Sequence, residues 1–505
     1  MKNNDWDKVV DVVVVGYGYA GGIAAVTACD SGAKTILLEK RGIPGGISSI
    51  SGGGFAVTEN TNEAYRYLLH TTRGTTPTEV LRTMARGMKE LPGYIDKLRK
   101  TYTGINSPME YEIVSGATVT YPGFPGSESI EVGKISRHPE FEGFDFCEGM
   151  RGGARLFKIV ADNVSAREIE VRYEVRATDL ITESDGRVVG IRVQDSNEPG
   201  NDMKIGVNGG VVLATGGFEA DRELKTQFLG GPPLYPIVNV DNTGEGLRMA
   251  QRVGARLWHM KNFHGSYGFR FSDYPLGIRN SFSGMRDPKK KMPWILLDEK
   301  GERFMNEYPP AIQDTPARTH LFYYDPDRES YPRIPAYMLF DEEGRKEGPI
   351  GFPMSTGSGA CYSWSEDNQE EVKRGWINRA SDLNELSEVT ELPVDRVVRS
   401  VEKWNDAFHS GGDKSFNRPT GTMMSITNPP YYWVKVWPVI SNTQGGPAHD
   451  EFQRILNVDN EPIPGLYAAG ELGSLFGHLY MLSGNITECF VGGRIAGRGA
   501  ARKNR

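Results

Sequence analysis

Long apolar runs are missing from this 505-residue chain. The nearest approach, Val9 to Val15, is 7 residues long, contains Asp11 and gives way at once to glycines. A bilayer span needs about 20 consecutive apolar residues, so this run reads as a buried strand rather than a signal peptide, and no membrane span is expected. Cysteine is scarce as well. Cys29, Cys147, Cys361 and Cys489 are scattered, with neither zinc-site spacing nor a haem-attachment motif. They read as reduced structural thiols, which sets the expectation of a cytoplasmic protein without metal ligands. Excess positive charge is absent too: the net charge is -7 and the basic tail from Arg494 to Arg505 is short. Such a chain lacks the electrostatic footprint of a nucleic-acid binder.

Glycine is what the chain has in quantity, 61 residues of it, within an ordinary globular balance of 38% hydrophobic and 24% charged residues. The length predicts two domains. Val9 to Val15 is β-branched apart from Asp11, which suits a central parallel strand. Gly16, Gly18 and Gly21 follow in G-x-G-x-x-G spacing. Ala20 to Cys29 then reads as a helix, and Thr35 to Glu39 as a strand ending on an acid 18 residues past Gly21. Each piece has a physical task in holding a dinucleotide. Gly16 permits the tight turn, Gly18 lets pyrophosphate approach the backbone, and Gly21 lets helix pack on strand. The helix N-terminus offers N–H groups and a positive dipole to phosphate, and Glu39 can accept hydrogen bonds from ribose hydroxyls.

A second glycine cluster runs from Gly45 to Gly54 with Ile47, Ser48, Ser49, Ile50 and Ser51 inside it. An NAD dehydrogenase has little use for such a loop here, whereas a flavin extends past the pyrophosphate and needs small residues and amides along its ring. Further on, Ile169–Tyr173, Ala177–Thr182 and Val188–Val193 read as short strands, with Asp185-Gly186 as a hairpin turn. A buried strand then leads into Ala214-Thr215-Gly216-Gly217-Phe218, and Asn242-Thr243-Gly244-Glu245-Gly246 opens a helix expected to reach about Arg256. Near the C-terminus a strand ends on Gly470-Glu471. Ser483-Gly484-Asn485 leads into a helix expected over Ile486–Gly497. Glu471 can hold ribityl hydroxyls, and a helix starting at Asn485 aims its dipole at the flavin N1/C2=O edge.

Together these residues resemble the superfamily of FAD proteins that holds fumarate reductase, succinate dehydrogenase and 3-ketosteroid dehydrogenase. The carrying motifs are GYGYAG at Gly16–Gly21, GGISSISGGG at Gly45–Gly54, ATGGF, NTGEG, GERFMNE at Gly301–Glu307, and GLYAAGE with SGNITECFVGGRIAG up to Gly497. The resemblance implies an α/β fold: a Rossmann-like, glutathione-reductase-type FAD-binding domain from residues 1–256 and 436–505, with an inserted α+β capping domain at 257–435. It implies that hydride passes between flavin N5 and a substrate carbon at their interface, while a side chain moves a proton at the adjacent carbon. Cofactor contacts are then expected from Gly16, Gly18, Tyr19, Ala20 and Gly21, from Glu39 and Lys40, and from Gly45, Gly46, Ile47, Ser48, Ser51, Gly52 and Gly53. Val175, Ala214, Thr215, Gly216, Asn242, Thr243 and Gly246 follow. Gly470, Glu471, Ser483, Gly484, Asn485 and Ile486 complete the set.

Departures from the family pattern are informative. Members with covalent flavin place a His near the glycine loop; Ile47 stands here, so FAD is expected to be non-covalent. The Arg that clamps a substrate carboxylate in fumarate-type members is replaced by Tyr480. The His before a Thr-x-Gly-Gly run is Asn442, and no Arg follows GERFMNE at the expected offset. A carboxylate clamp needs a fixed bidentate cation. The 3-ketosteroid dehydrogenase branch instead carries a Tyr at the Tyr480 position, and a phenol can hydrogen-bond a ketone or enolate oxygen or pass a proton beside it.

The resulting expectation is an FAD-dependent dehydrogenase or ene-reductase on a C–C bond beside a carbonyl. Its substrate is a cyclic, largely apolar ketone or enone such as a 3-ketosteroid, cyclohexanone or polyphenol-derived ketone. Tyr480, with Asn442, holds the carbonyl; Tyr308 or Arg318 in the cap moves the proton, with Asp314 as a neighbour of the latter. His264 and His478 are candidate pocket residues. The segment from Thr103 to Met150 reads as structureless and is expected to cover the entrance with aromatics such as Tyr111 or Tyr121. The electron partner stays open among a quinone, a nicotinamide and another flavoprotein. Two other readings stand beside this one: a fumarate reductase-like enzyme on an unsaturated carboxylate, and an FAD-binding electron carrier or redox sensor.

Overall fold

The computed structural model describes residues 6–103, 110–115, 120–137, 141, 143–145, 151–195, 200, 202–238, 240–281, 287–308, 316–352, 354–355, 361–481 and 483–502. The β-branched run becomes the strand Lys8–Val15, in which Val12, Val13 and Val14 are wholly buried. Burying each such side chain contributes about 1.5–3 kcal/mol, which is why a run of them seeks the middle of a sheet. It pairs in parallel with Thr35–Leu38 on one side and Asp202–Leu213 on the other. Ile169–Arg172 extends the sheet beyond Thr35–Leu38, and Pro462–Ala468 extends it beyond Asp202–Leu213. Arg454–Leu456 closes that edge, and a hairpin of Val175–Thr182 and Val188–Asp195 attaches to Asp202–Leu213, making an eight-stranded sheet. Residues from both ends of the chain thus share one sheet.

One face of this sheet is covered by the helices Tyr19–Asp30, Arg151–Ser165 and Gly484–Ala500. Small residues let them approach closely: a Cβ on Gly497 would lie 2.3 Å from the Ala24 carbonyl oxygen of the facing helix. The helix after NTGEG spans Glu245–Arg252, shorter than the sequence predicts, because Gly254 turns the chain away at φ +88°. The last helix is longer than predicted at both ends. No helix among the described residues is long and apolar enough to cross a membrane. Cys29 and Cys489 are free thiols.

A second sheet, of seven strands, is centred on Tyr431–Thr443, which is flanked by Phe263–Arg270 and Ala336–Asp341. Gly277–Arg279 and Ile295–Leu297 form the outer strands. Its aromatic core includes Tyr267, Phe269, Trp294, Trp364 and Trp376. Here the GERFMNE motif is spent on structure. Glu307, fully buried, accepts from Arg303 at 2.8 and 3.0 Å, from Arg418 at 3.2 Å and from the Leu296 N–H at 3.1 Å. Arg303 also reaches Asp413 at 3.1 Å. The two guanidinium groups hold the Glu307 carboxyl below the usual range against its burial.

The expectation of a structureless Thr103–Met150 is corrected. Glu110–Ser115 and Glu131–Arg137 pair antiparallel, and Phe55–Val57 joins them in a three-stranded sheet. Strands this short carry too few alternations to show a period of two, and their hydrogen-bond partners lie far away in sequence.

Candidate active site

The first strand delivers the chain to Gly16, whose φ of +99° turns it into the helix Tyr19–Asp30. A Cβ on Gly16 would sit 2.4 Å from the Ala214 carbonyl oxygen, and one on Gly21 would sit 1.8 Å from that of Gly16. Glycine is therefore required at both positions for strand, loop and helix to pack. The helix has no side-chain cap, and its N-terminus opens onto a cleft of about 890 Å³, counting the space open to solvent. Glu39 lines the same cleft with its carboxylate fixed: Tyr17 N–H donates to Oε2 at 2.9 Å and Arg41 N–H to Oε1 at 3.0 Å. Burial raises its pKa, and those two N–H groups oppose the rise. Lys40 is tied across to Glu245 at 2.9 Å, so it braces the second strand against the NTGEG loop.

The structure gathers most of the sequence-predicted cofactor residues on this cleft. Gly18, Tyr19, Ala20, Gly45, Gly46, Ile47 and Ser48 line its floor, and Val175, Ala214, Thr215, Gly216, Asn242 and Glu471 line its walls. Ser48 Oγ accepts from Tyr19 N–H at 2.9 Å and joins the two glycine loops. Several others lie behind the cleft wall. Ser51 Oγ donates to Ser48 O at 2.8 Å, and Gly53 faces the Gly152 backbone, which a Cβ would meet at 2.3 Å. Gly52 lies equally close to Gly152, whose Cβ would meet the Gly52 carbonyl at 2.4 Å. Thr243 Oγ1 donates to Glu245 at 2.7 Å, Gly246 packs on Thr215, and Gly470, at φ +77°, packs on Ala20. Tyr17, Arg41, Asp241 and Cys489 line the cleft without having been singled out in the sequence. Arg41 and Asp241 pair at 3.3 Å across some 200 residues, which no local pattern records.

The cleft touches the last helix at Cys489, and the expected contacts Ser483, Gly484, Asn485 and Ile486 at the start of that helix do not line it. That helix begins at Gly484, after Ser483 in a left-handed conformation, and Ile486 turns into the sheet-facing core. Asn485 is a hub. It accepts from Asn442 Nδ2 at 3.0 Å and Gln444 Nε2 at 3.2 Å, and it donates to Gln444 Oε1, Ser474 Oγ and Glu488 Oε2 at 3.0–3.2 Å. Asn442 lies within the strand Tyr431–Thr443. Burial pushes Glu488 up to about 7 despite donors from Leu475 N–H and Ser474.

Tyr480 is buried beside this hub. Its ring lies 4.4 Å from His264 and edge-on to Phe476 at 5.6 Å. Burial raises the pKa of its phenol, against the opposing pull of the backbone N–H groups of Ser483 and Asn485 and of the Arg279 guanidinium. His264 stands opposite Asn442 in the antiparallel register, so the two project on one face. The geometry thus joins Tyr480 and Asn442 and adds His264, Arg279, Gln444 and Asn485. Arg279, whose pKa burial lowers to about 10, carried no sequence signal; it ends a three-residue strand outside every motif. Tyr308 packs against the aromatic core of the second sheet, a different cluster from that of Tyr480. Arg318 lies on the helical turn Pro316–Leu321. Asp314 lies outside the described residues, and His478 is half-buried. Tyr121 stacks on Phe124 at 5.3 Å and packs against the cluster that holds Tyr480.

These features suit a flavin dinucleotide. The glycine turn admits a pyrophosphate at the helix N-terminus. Glu39 is held by one N–H on each oxygen and keeps lone pairs for ribose hydroxyls. The cleft runs on to Glu471 near the start of the last helix, where anionic charge is favoured.

The family model described as FAD binding domain matches residues 11–486. Among curated proteins, the chain is 28% identical to a 3-oxosteroid 1-dehydrogenase of Mycolicibacterium smegmatis, with 93% of each chain covered. It is 26% identical to a urocanate reductase of Eggerthella lenta, covering 99% of this chain and 78% of that protein. Among solved structures, a 3-ketosteroid delta1-dehydrogenase from Sterolibacterium denitrificans, in complex with 1,4-androstadiene-3,17-dione, has a TM-score of 0.80 at 21% identity over 98% of this chain and 99% of that one. With the glycine turn, the fixed acid and the family match in agreement, the chain belongs to the FAD binding domain family and is an FAD-dependent oxidoreductase.

Proposed function

We propose that this enzyme removes or adds hydrogen across a carbon–carbon bond next to the carbonyl of a cyclic, largely apolar ketone, of which a 3-ketosteroid is the model substrate. The observation that carries this reading is Tyr480: a phenol buried in an apolar cluster at the head of the last helix, its ring 4.4 Å from that of His264. Burial keeps the phenol neutral, so it retains an O–H to donate to a further acceptor. Tyr480 would donate to the substrate carbonyl and stabilise negative charge on it as the adjacent C–H bond changes. Asn442 and His264 would orient the same oxygen. A cap residue, Tyr308 or Arg318, would carry the proton at the neighbouring carbon. Bound FAD supplies two-electron hydride chemistry. Glu39 would hold its ribose, the Gly16–Gly21 turn its pyrophosphate, and Asn485 and the last helix its ring edge. Ile47 on the cleft offers only carbon, consistent with non-covalent FAD. The 3-oxosteroid activity in the names of similar proteins supports the ring and ketone.

A second reading, an unsaturated carboxylate, is favoured by one observation, the buried Arg279 beside Tyr480. Anaerobic stopped-flow flavin absorbance separates the two. Saturated cyclic ketones should bleach the oxidised enzyme, or the matching enones reoxidise the reduced one. Tyr480→Phe should slow that step by about 10²–10⁴-fold with FAD retained. Unchanged turnover in Tyr480→Phe, or reoxidation by fumarate alone, would remove the ketone reading.

A further inference from the structure

Two carboxyl groups at the cofactor cleft, Glu219 wholly buried and Glu471 half-buried, take no part in the proton and hydride steps above. Glu219 follows the ATGGF loop and is wholly buried; Glu471 ends the strand Pro462–Ala468 and its loop, and its side chain lines the cleft. Glu219 Oε1 accepts from Asn242 Nδ2 at 2.7 Å. Glu219 Oε2 and Glu471 Oε1 are buried with no donor. They crowd one point: a Cβ on Gly217 would lie 2.4 Å from Glu471 Oε1 and 2.8 Å from Glu219 Oε2. The two side chains are within hydrogen-bonding reach of each other.

We propose that Glu219 and Glu471 share one proton between Glu219 Oε2 and Glu471 Oε1, and that Glu219 is a positioning residue which holds Glu471 toward FAD. Two ionised carboxylates at this separation would repel. A single proton turns the contact into an O–H···O⁻ hydrogen bond and satisfies both buried oxygens. The pair titrates as one unit. Burial pushes both groups above the ordinary carboxyl range. The groups that face the pair are few. Lys225, on the helix Arg222–Leu229, attracts Glu219 while donating to Leu234 O at 2.7 Å. Asp221 is held by Arg248 at 3.0 Å. From the last helix come Glu488, with its three donors, and the Cys489 thiol, which burial pushes up. None of these supplies a donor to the two facing oxygens.

FAD binding therefore depends on a proton held by the protein. Loss of that proton puts two negative charges beside the cofactor and frees Glu471 from Glu219. Titrating FAD into the full chain stripped of cofactor, with flavin fluorescence as readout from about pH 6 to about pH 9, tests this. One linked proton predicts affinity falling by up to about tenfold per pH unit at the alkaline end. Glu219→Gln, which carries a fixed N–H donor and no charge, should flatten that slope. Infrared spectra of the holoenzyme at neutral pH should show a protonated carboxyl band that Glu219→Gln removes and Glu488→Gln keeps. A wild-type affinity independent of pH, or the absence of that band in the wild type, overturns the proposal without any variant. An unchanged slope in Glu219→Gln also overturns it. None of these readouts depends on which substrate the enzyme takes.

Discussion

Replacing Glu39 by Gln is the most direct perturbation of the cofactor site. Both carboxylate oxygens of Glu39 are used by the backbone, from Tyr17 N–H at 2.9 Å and Arg41 N–H at 3.0 Å. A glutamine has one carbonyl oxygen, so its NH₂ must face one of these two donors. Hydrogen bonds to a charged acceptor are worth about 1.5–3 kcal/mol each, and a buried donor left without a partner costs about 1–3 kcal/mol. Losing one charge-assisted bond to the adenosine ribose gives about 10- to 150-fold weaker FAD binding. Displacement of the Tyr17 or Arg41 backbone adds to it. The assay is titration of the cofactor-stripped protein with FAD and, in parallel, with FMN. FMN lacks the adenosine ribose, so its affinity should be unchanged within about twofold. FAD affinity equal to wild type, or equal losses for FAD and FMN, would refute the placement of Glu39 on the ribose.

Two further outcomes concern stability. Glu307→Gln leaves Arg303 and Arg418 buried with Asp413, the Thr422 hydroxyl and backbone carbonyls as partners, so the protein should lose about 3–5 kcal/mol, read as a lower urea midpoint of tryptophan fluorescence. An unchanged midpoint would mean that the cluster contributes specificity rather than stability. Glu488, raised from 4.5 to about 7 in the folded protein, holds its proton longer folded than unfolded. Its contribution is full below pH 4.5 and falls away as the pH climbs to about 7. Measured against Glu488→Gln, wild-type stability should therefore decline by roughly 3 kcal/mol over that window, and a difference independent of pH would contradict the assignment.

The legible part of the molecule is the part whose physics is local. Val9–Val15, the Gly16–Gly21 turn, Glu39 and the Gly45–Gly54 loop announce a dinucleotide cleft because strand, turn and helix follow one another along the chain. The steric demands on Gly16 and Gly21 act on neighbours within that unit. Gly470-Glu471 and Ser483–Asn485 are legible for the same reason, as a strand end and a helix start. Tyr480 and Asn442 were visible by their offsets from those motifs.

What tertiary structure decided was decided by long-range pairing. His264 meets Asn442 only because Phe263–Arg270 and Tyr431–Thr443 are neighbours in the second sheet. Arg279 reaches Tyr480 from an outer strand of that sheet, and Glu219 meets Glu471 where two loops pass behind the cleft. Glu307, the last residue of the GERFMNE motif, is the centre of a buried ion cluster. A charge's role depends on which partners surround it and how far water is kept away, and both are properties of the packed chain. The sequence by itself therefore determined the cofactor and the fold that holds it, because glycine sterics and strand–helix order are local. Only the tertiary structure decided which side chains gather around Tyr480 and which carboxyls crowd together, because those contacts join residues far apart in the chain.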